Sequence, residues 1–323
     1  MKENIKKATR ESFGMALAKM AGQYPQMVVL DADLAKATRT DLFKAVCPER
    51  FVDCGIAEAN MMGVAAGLAA SGKLPVAATF AMFSAERAME QIRNSIGYPH
   101  LNVKIAGTHA GISVGEDGAS HQCNEDCAAM RSIPGMTILC PSDHYETMAA
   151  VKAMLDYDGP VYLRLGRLPV ECINREENYS FQIGKSILKK KGRDAAIIAA
   201  GSMVYEAMKA ADLLESEGIH VRVLNMHTLK PLDEKAVILA ARETGAIITA
   251  EEHSVIGGLG DAVGDVLLRT FPVPMEKIGI QDRYGYSGPG SDLMDQFGLR
   301  ASNLIEAVHR ILLRKQAEKE SSV

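Results

Sequence analysis

Residues 53–60 read Asp53-Cys54-Gly55-Ile56-Ala57-Glu58-Ala59-Asn60, and residues 61–72 continue as Met61-Met62-Gly63-Val64-Ala65-Ala66-Gly67-Leu68-Ala69-Ala70-Ser71-Gly72. Asp53 or Gly55 can begin a helix here, and Gly72 can end it. Apolar residues fall on every face, so we expect a helix that is buried on all sides or packed against a partner. Gly63 and Gly67 lie on one side, where they would let another backbone approach closely.

Glu58 brings a carboxylate into the first turn of this apolar helix. Burial would favour its neutral form, whereas the positive end of the helix dipole would favour the charged form. A carboxyl group that can exchange a proton near neutral pH suits an acid–base partner for a heteroaromatic nitrogen. The alternative is a Glu at a helix start that only faces solvent.

The composition is that of a globular protein long enough for two domains: 323 residues, 47% hydrophobic and 24% charged. The net charge of −4 gives no electrostatic footprint for nucleic acid. We find no signal peptide and no apolar run of membrane-spanning length, so we expect a cytoplasmic protein. Six scattered cysteines are typical of reduced thiols. His121, Cys123 and Cys127 lack a second ligand pair, so no metal site is predicted.

Short apolar runs alternate with helical segments along the whole chain, which predicts parallel sheets covered on both faces. A polar connecting segment, residues 171–192, separates two such series. We therefore predict an α/β fold with two parallel-sheet domains, residues 1–185 and 186–323. The predicted strands are 27–30, 50–53, 74–80, 103–106, 136–139 and 161–165 in the first domain, and 195–200, 221–225, 246–250 and 277–280 in the second. The predicted helices include 5–24, 84–96, 204–217, 234–244, 261–268 and 302–315.

A long glycine-rich loop follows the predicted strand 103–106 and reads Gly107-Thr108-His109-Ala110-Gly111-Ile112-Ser113-Val114-Gly115-Glu116-Asp117-Gly118-Ala119-Ser120-His121-Gln122. The carboxyl ends of parallel strands are where such folds place ligand sites. His109 and His121 could share proton transfer on a polyhydroxylated substrate, and Asp117 could orient a hydroxyl group. The alternative is that both are ordinary loop histidines.

Three segments together resemble the pyrimidine-binding domain of the thiamine-diphosphate enzymes of the transketolase family: Asp53–Gly72, Ala78-Thr79-Phe80-Ala81-Met82-Phe83, and Thr108–Gln122. Residues from about 190 onward resemble the C-terminal domain of that family. The string Gly-Glu-Asp-Gly-x-x-His-Gln is specific. The resemblance implies an enzyme that transfers a two-carbon glycolaldehyde unit from a ketose phosphate to an aldose phosphate.

The resemblance also implies a role for each candidate residue. Glu58 would face the N1′ atom of the cofactor's aminopyrimidine, with Phe80 and Phe83 as its apolar wall and Asp33 near the thiazolium ring. His109, His121 and Asp117 would contact substrate hydroxyls. The family's phosphate-binding arginine aligns with Leu165, so Arg164 and Arg167, which flank it, are the candidates for the sugar phosphate. A third aromatic position of the family aligns with Glu86, and a phosphate-contacting Ser aligns with Ala37.

The family holds the diphosphate and Mg²⁺ with a Gly-Asp-Gly motif in an N-terminal domain, and no Gly-Asp-Gly occurs in this sequence. The chain therefore resembles the C-terminal section of a split transketolase. This implies a separate N-terminal section as partner, Mg²⁺ ligands on that partner, and an α2β2 heterotetramer. Deoxyxylulose-phosphate synthase and 2-oxo-acid dehydrogenase β subunits are the alternative relatives. A non-catalytic regulatory module is the alternative of another class, and branched or sulfonated sugars are alternative substrates.

Overall fold

The computed structural model describes residues 5–175 and 179–321. Seven strands form the N-terminal sheet in the order β12-β6-β7-β5-β4-β2-β3. Their bounds are β2 (Met27–Asp31), β3 (Phe51–Asp53), β4 (Leu74–Phe80), β5 (Lys104–Thr108), β6 (Thr137–Leu139), β7 (Val161–Arg164) and β12 (Thr228–Lys230). All neighbours are parallel except β12, which pairs antiparallel with β6. Every residue of β4 is buried, as a parallel strand covered on both faces requires.

The C-terminal sheet has five strands in the order β14-β13-β10-β11-β9. They are β9 (Ile187–Lys190), β10 (Ala195–Ala199), β11 (Val221–Asn225), β13 (Ile247–Ser254) and β14 (Met275–Ile280). The sheet is parallel apart from β9, which pairs antiparallel with β11 at one edge. The α/β fold with two mostly parallel sheets is therefore confirmed.

Helices cover both sheets, as the alternating apolar runs predict. The α-helices are α1 (Thr9–Met20), α2 (Ala35–Thr38), α3 (Asp41–Val46), α4 (Glu58–Ala70), α5 (Met89–Gln91), α6 (Asp126–Ser132), α7 (His144–Asp156), α8 (Met203–Glu215), α9 (Glu234–Thr244), α10 (Leu259–Thr270), α11 (Gly290–Gln296) and α12 (Ala301–Ser321). None of the helices in the described part of the chain is long and apolar enough to cross a membrane.

The helix predicted from Asp53 or Gly55 begins later, at Glu58. Asp53 instead ends β3, and its Oδ1 accepts hydrogen bonds from the backbone N–H groups of Asp33 and Gly55. Within this chain α4 is not buried on all sides, because Gly63, Val64 and Gly67 are exposed. Packing of that face against a partner stays a prediction.

Other segments depart from the sequence-based prediction where tertiary pairing decides the backbone. The predicted helix 84–96 is a π-helical turn at Phe83–Arg87, then α5, then a π-helical turn at Ile92–Gly97. Residues at the start of the predicted helix 5–24 form β1 (Lys6–Ala8) instead. This strand pairs antiparallel with β8 (Pro169–Glu171), a partner that no local pattern indicates. The predicted connecting segment ends in the edge strand β9.

The two sheets share an apolar core. One cluster of buried side chains runs from Met61, Ile105 and Tyr162 in the N-terminal half to Ile198 and Val263 in the C-terminal half. The strand β12 also crosses over, because it lies in the C-terminal half of the sequence and completes the N-terminal sheet. The C-terminal domain is therefore packed firmly against the sheet that carries the candidate site.

Candidate active site

The candidate residues follow the carboxyl ends of four neighbouring parallel strands. Asp33 follows β2, Glu58 begins the helix after β3, Phe80 ends β4, and His109 follows β5. The order of these strands places β3 on one side of β2 and β4 on the other. Such a reversal opens a crevice at the carboxyl edge of a sheet, where α/β proteins bind ligands.

Glu58 is a buried carboxylate with one unsatisfied oxygen. Its side chain is 3% exposed, and its Oε2 atom lies 3.7 Å from Nη1 of Arg87. That oxygen is buried and has no hydrogen-bond partner. An unpaired buried acceptor is costly, so it indicates a donor that the chain alone does not supply. The alternative of a solvent-facing Glu is wrong.

Four aromatic rings gather beside it. Phe80 and Phe83 stack with their centroids 5.6 Å apart, and His109 stacks on Phe80 at 3.8 Å. His121 meets Phe83 edge-on at 5.4 Å. Arg87, which neighbours Glu58, also lies over the Phe83 ring at 5.6 Å. The structure therefore brings the predicted apolar wall and both predicted catalytic histidines together.

The tautomer of His109 follows from its neighbours. The hydroxyl of Thr108 donates its single hydrogen to the backbone oxygen of Thr79 at 3.2 Å. The same hydroxyl lies 3.0 Å from Nδ1 of His109, and both contacts are hydrogen bonds in the tautomer whose Nδ1–H donates to it. In that tautomer Nε2 of His109 carries a lone pair and can accept a hydrogen bond.

His109 is also held neutral. Burial, with the charges of Arg10, Arg167 and His121, lowers the pKa of this imidazole to about 3. A neutral imidazole with a bare Nε2 is suited to accept hydrogen bonds from substrate hydroxyl groups at neutral pH. His121 is half-buried, and its Nδ1 lies 3.0 Å from the Ser120 hydroxyl.

Asp117 and Arg167 come together, although the sequence separates them by fifty positions. Nη1 of Arg167 lies 3.8 Å from Asp117 and 3.3 Å from Glu116. It also donates to the backbone oxygen of Val114. Arg167 is thus directed onto the glycine-rich loop.

Arg10 is a charged residue near this group that sequence reasoning missed. It lies in the first turn of α1, and its Nε atom is buried without a hydrogen-bond partner. Burial, with the charges of Arg167 and Arg39, lowers the pKa of Arg10. A guanidinium with an unpartnered Nε–H can bind an anion. In the sequence, the feature that could have indicated Arg10 was its position near the start of a predicted helix.

Arg164 and Asp33 make contacts of other kinds. Arg164 is buried, and its Nε donates to Asp126 at 2.8 Å. Its Nη2 donates to the backbone oxygen of Glu252 at 2.9 Å. Arg164 therefore joins the two domains rather than extending into the crevice with Arg167. Asp33 is exposed just after β2, and its backbone N–H donates to Oδ1 of Asp53 at 3.0 Å.

The candidate metal ligands His121, Cys123 and Cys127 do not form a site together. Within residues 5–175 and 179–321, one group of three potential ligands lies within 4.8 Å, namely Asp126, Cys127 and His253. Arg164 and Tyr162 already bond the Asp126 carboxylate. Burial raises the pKa of the Cys127 thiol well above its ordinary value. We therefore interpret these three side chains as part of the buried core and not as a metal site.

Comparison with protein families gives two matches that together span most of the chain. The transketolase pyrimidine-binding domain matches residues 5–171, and the transketolase C-terminal domain matches residues 184–304. The resemblance inferred from the sequence motifs is therefore confirmed.

Individual relatives agree with these matches. A putative transketolase C-terminal section of Methanocaldococcus jannaschii is 43% identical over 94% of this chain and 96% of its own. A 6-deoxy-6-sulfo-D-fructose transketolase subunit of Clostridium sp. (strain MSTE9) is 44% identical over 95% of each chain. A solved split-gene transketolase, an inactive β4 tetramer, superposes with a TM-score of 0.90 at 49% identity, covering 95% of this chain and 99% of its own.

Proposed function

The chain belongs to the transketolase family, and on that premise we propose that it is the C-terminal section of a split transketolase. It transfers a two-carbon glycolaldehyde unit from a ketose phosphate to an aldose phosphate together with a separate N-terminal section. The similarity to C-terminal sections along nearly their whole length supports this division of the enzyme. The alternative of a non-catalytic module has no explanation for the unsatisfied carboxylate of Glu58.

The buried, unpartnered Oε2 of Glu58 carries the proposal. It fits thiamine diphosphate, because a carboxylate there can share a proton with the N1′ atom of the aminopyrimidine. Phe80 and Phe83 fit the same group, because stacked rings form an apolar wall for a flat heterocycle. When bound, the cofactor supplies the electron sink for cleavage of the C–C bond. We assign Asp33, at the neighbouring strand end, to the thiazolium side.

The contacts with substrate hydroxyl groups are assigned to the residues of the glycine-rich loop. His109 accepts a hydrogen bond from a substrate hydroxyl at Nε2, and His121 provides a second imidazole, with its ring centroid 6.2 Å from that of Phe80. Asp117 orients a further hydroxyl group.

Binding of the phosphate or sulfonate group of the substrate is assigned to arginine side chains. Arg10 and Arg167 are the candidates, because the backbone N–H of Arg10 donates to Gly166, the neighbour of Arg167, and Arg167 lies 3.8 Å from Asp117 on the loop. Phosphate and sulfonate both suit an arginine pair. The structure gives Arg164 buried partners instead, so we omit it from the substrate site.

The diphosphate and Mg²⁺ sites are assigned to the partner chain, and the assembly to α2β2. The inactive β4 tetramer formed by a similar chain supports a need for the partner. The exposed face of α4, with Gly63, Val64 and Gly67, supports a contact between chains. All six cysteines are free thiols, which supports a reducing, cytoplasmic setting.

The test is co-expression with an N-terminal transketolase section from the same organism, followed by a ketol-transfer assay. We expect transfer from a pentulose phosphate to an aldopentose phosphate by the pair and none by either chain alone. The same assay with a 6-sulfonated ketose tests the substrate named for the Clostridium relative. Transfer from neither donor would refute the proposed function.

A further inference from the structure

The C-terminal domain contributes none of the catalytic residues assigned above, yet it contacts the glycine-rich loop that carries His109, Asp117 and His121. We call residues 107–122 the substrate loop. At one end, the Glu252 carboxylate of β13 accepts a hydrogen bond from the backbone N–H of Ser113 at 2.9 Å. Its other oxygen accepts one from the Ser202 hydroxyl at 2.8 Å. A buried carboxylate of the second domain thus binds the backbone of the loop.

The loop backbone at Gly111 packs closely against the Glu252 side chain. A Cβ atom at Gly111, where φ is +87°, would lie 2.3 Å from Oε1 of Glu252. The loop backbone therefore runs directly against the carboxylate. Glu252 itself is only 6% exposed, so losing its partners would leave a buried charge unsatisfied.

Gln122 makes the second contact, at the other end of the loop. Its Nε2 donates to the backbone oxygen of Tyr286 at 3.0 Å. The same nitrogen lies 3.3 Å from the carbonyl oxygen of Ile112 and 3.2 Å from that of Gly115. The side chain is buried. One carboxamide therefore ties both halves of the loop to a segment of the C-terminal domain.

Glycines in the segment around Tyr286 allow it to pack closely against the loop. A Cβ at Gly285 would lie 1.9 Å from Oε1 of Gln122, and one at Gly290 would lie 2.6 Å from the backbone oxygen of Ser113. Between these contacts the loop carries Asp117 and His121, and it begins beside His109. Within the loop the backbone makes only short turn hydrogen bonds, such as those from Gly118 N–H to Gly115 and from His121 N–H to Gly118, so the position of the loop as a whole depends on what it packs against.

We propose that the C-terminal domain is a clamp for the substrate loop, with Glu252 and Gln122 as positioning residues. This rests on the proposed function for its catalytic consequence, because the loop residues act on sugar there. Side chains held a fraction of an ångström from their productive places lose most of their effect on rate, so a fixed loop backbone is a requirement for catalysis.

The experiment compares hydrogen exchange of residues 107–122 in the purified chain and in three variants. Glu252→Ala removes both acceptors, and we expect loop exchange at least about 10-fold faster. Glu252→Gln restores wild-type exchange, because its carbonyl accepts from Ser113 and its amide donates to Ser202. Glu251→Ala is the matched control: it removes a neighbouring buried carboxylate that accepts from the N–H groups of Leu259 and Gly260 instead.

The second readout is kinetic, in the assembled enzyme. Glu252→Ala is expected to lower kcat/KM for the sugar by about 100-fold while calorimetric cofactor affinity stays within a factor of two. Glu251→Ala is expected to leave the loop exchange and the KM for sugar as in the wild type. Should Glu252→Ala not fold, Gln122→Ala is subjected to the same two measurements with the same expectations.

The outcomes separate this proposal from the proposed function. Unchanged loop exchange in Glu252→Ala, or in Gln122→Ala where that variant replaces it, overturns the clamp, whether or not the wild-type pair transfers a ketol unit. Equal acceleration in Glu251→Ala also overturns it, because the effect would then be general loosening of the domain. A wild-type pair without ketol transfer, but with a loop loosened by Glu252→Ala alone, refutes the proposed function and supports the clamp.

Discussion

The imidazole of His109 stacks on the ring of Phe80, with the ring centroids 3.8 Å apart and the planes tilted by 27°. Phe80 ends β4 and His109 follows β5, so the contact joins two neighbouring strand ends. One ring belongs to the proposed cofactor wall and the other to the proposed substrate loop. The two halves of the site are therefore in direct contact.

Glu58→Gln is expected to preserve folding and assembly but to lower kcat by at least about 100-fold, because the amide cannot share a proton as the carboxylate does. Steady-state ketol transfer at saturating cofactor measures this. Glu90→Gln is the matched control, since Glu90 is exposed and bonds to its helical neighbours Gln91 and Asn94. Near-normal turnover of Glu58→Gln would remove Glu58 from the mechanism.

Replacing either loop histidine, His109→Ala or His121→Ala, is expected to lower kcat by about 100-fold with little effect on cofactor affinity. Both imidazoles are assigned to substrate hydroxyls, and Phe80 and Phe83 remain to hold the pyrimidine. His309→Ala is the control, because His309 lies on α12 and pairs with Glu217 at 2.8 Å. A collapse of cofactor affinity with turnover at saturation preserved would contradict the assignment.

His109 is expected to remain neutral down to about pH 4, since burial lowers its pKa to about 3. The unfolded chain has the ordinary histidine pKa and so binds more protons than the folded chain between pH 3 and pH 6.5. The contribution of His109 to the free energy of unfolding therefore falls as the pH is lowered through that range.

Two measurements check this pH dependence. The ring resonances of His109 in NMR should not titrate between pH 7 and pH 5, whereas those of exposed His309 serve as the reference. His109→Gln should lose less stability than the wild type between pH 6.5 and pH 4 in urea denaturation. Titration of His109 near pH 6.5 would show that the imidazole is not buried as the structure has it.

The isolated chain is expected to bind thiamine diphosphate and Mg²⁺ weakly or not at all, because no Gly-Asp-Gly motif is present to hold the diphosphate and metal. Isothermal titration calorimetry of this chain, the partner and the mixture measures it. Only the mixture should give tight binding. Tight Mg²⁺-dependent binding by the isolated chain would contradict the split-enzyme proposal.

Assembly is expected to depend on the exposed face of α4. Val64, which is 37% exposed and lies between Gly63 and Gly67, would be covered by another chain. Val64→Glu should shift the co-purified α2β2 complex toward smaller species in light scattering. Leu213→Glu, at an exposed apolar position on α8, is the control. An unchanged, fully active complex in Val64→Glu would place the interface elsewhere.

Much of the architecture was predictable because strands and helices leave local patterns. The apolar runs of β4 and β10 predict buried parallel strands from neighbouring residues alone. Because parallel strands bring their carboxyl ends to one edge, Glu58, Phe80 and His109 could be expected to meet. The position of α4 was also predicted, although its first residue was placed too early.

Only the tertiary structure could separate Arg167 from Arg164, or add Arg10 and Glu252. Both flanking arginines look alike in sequence, but Arg164 is the last residue of β7 and meets Asp126 in the core, while Arg167 lies beyond the strand and reaches the substrate loop. Local periodicity reports which face of an element is apolar. It does not report which distant backbone supplies a buried charge with its hydrogen bonds, and that pairing is decided when the two sheets pack together.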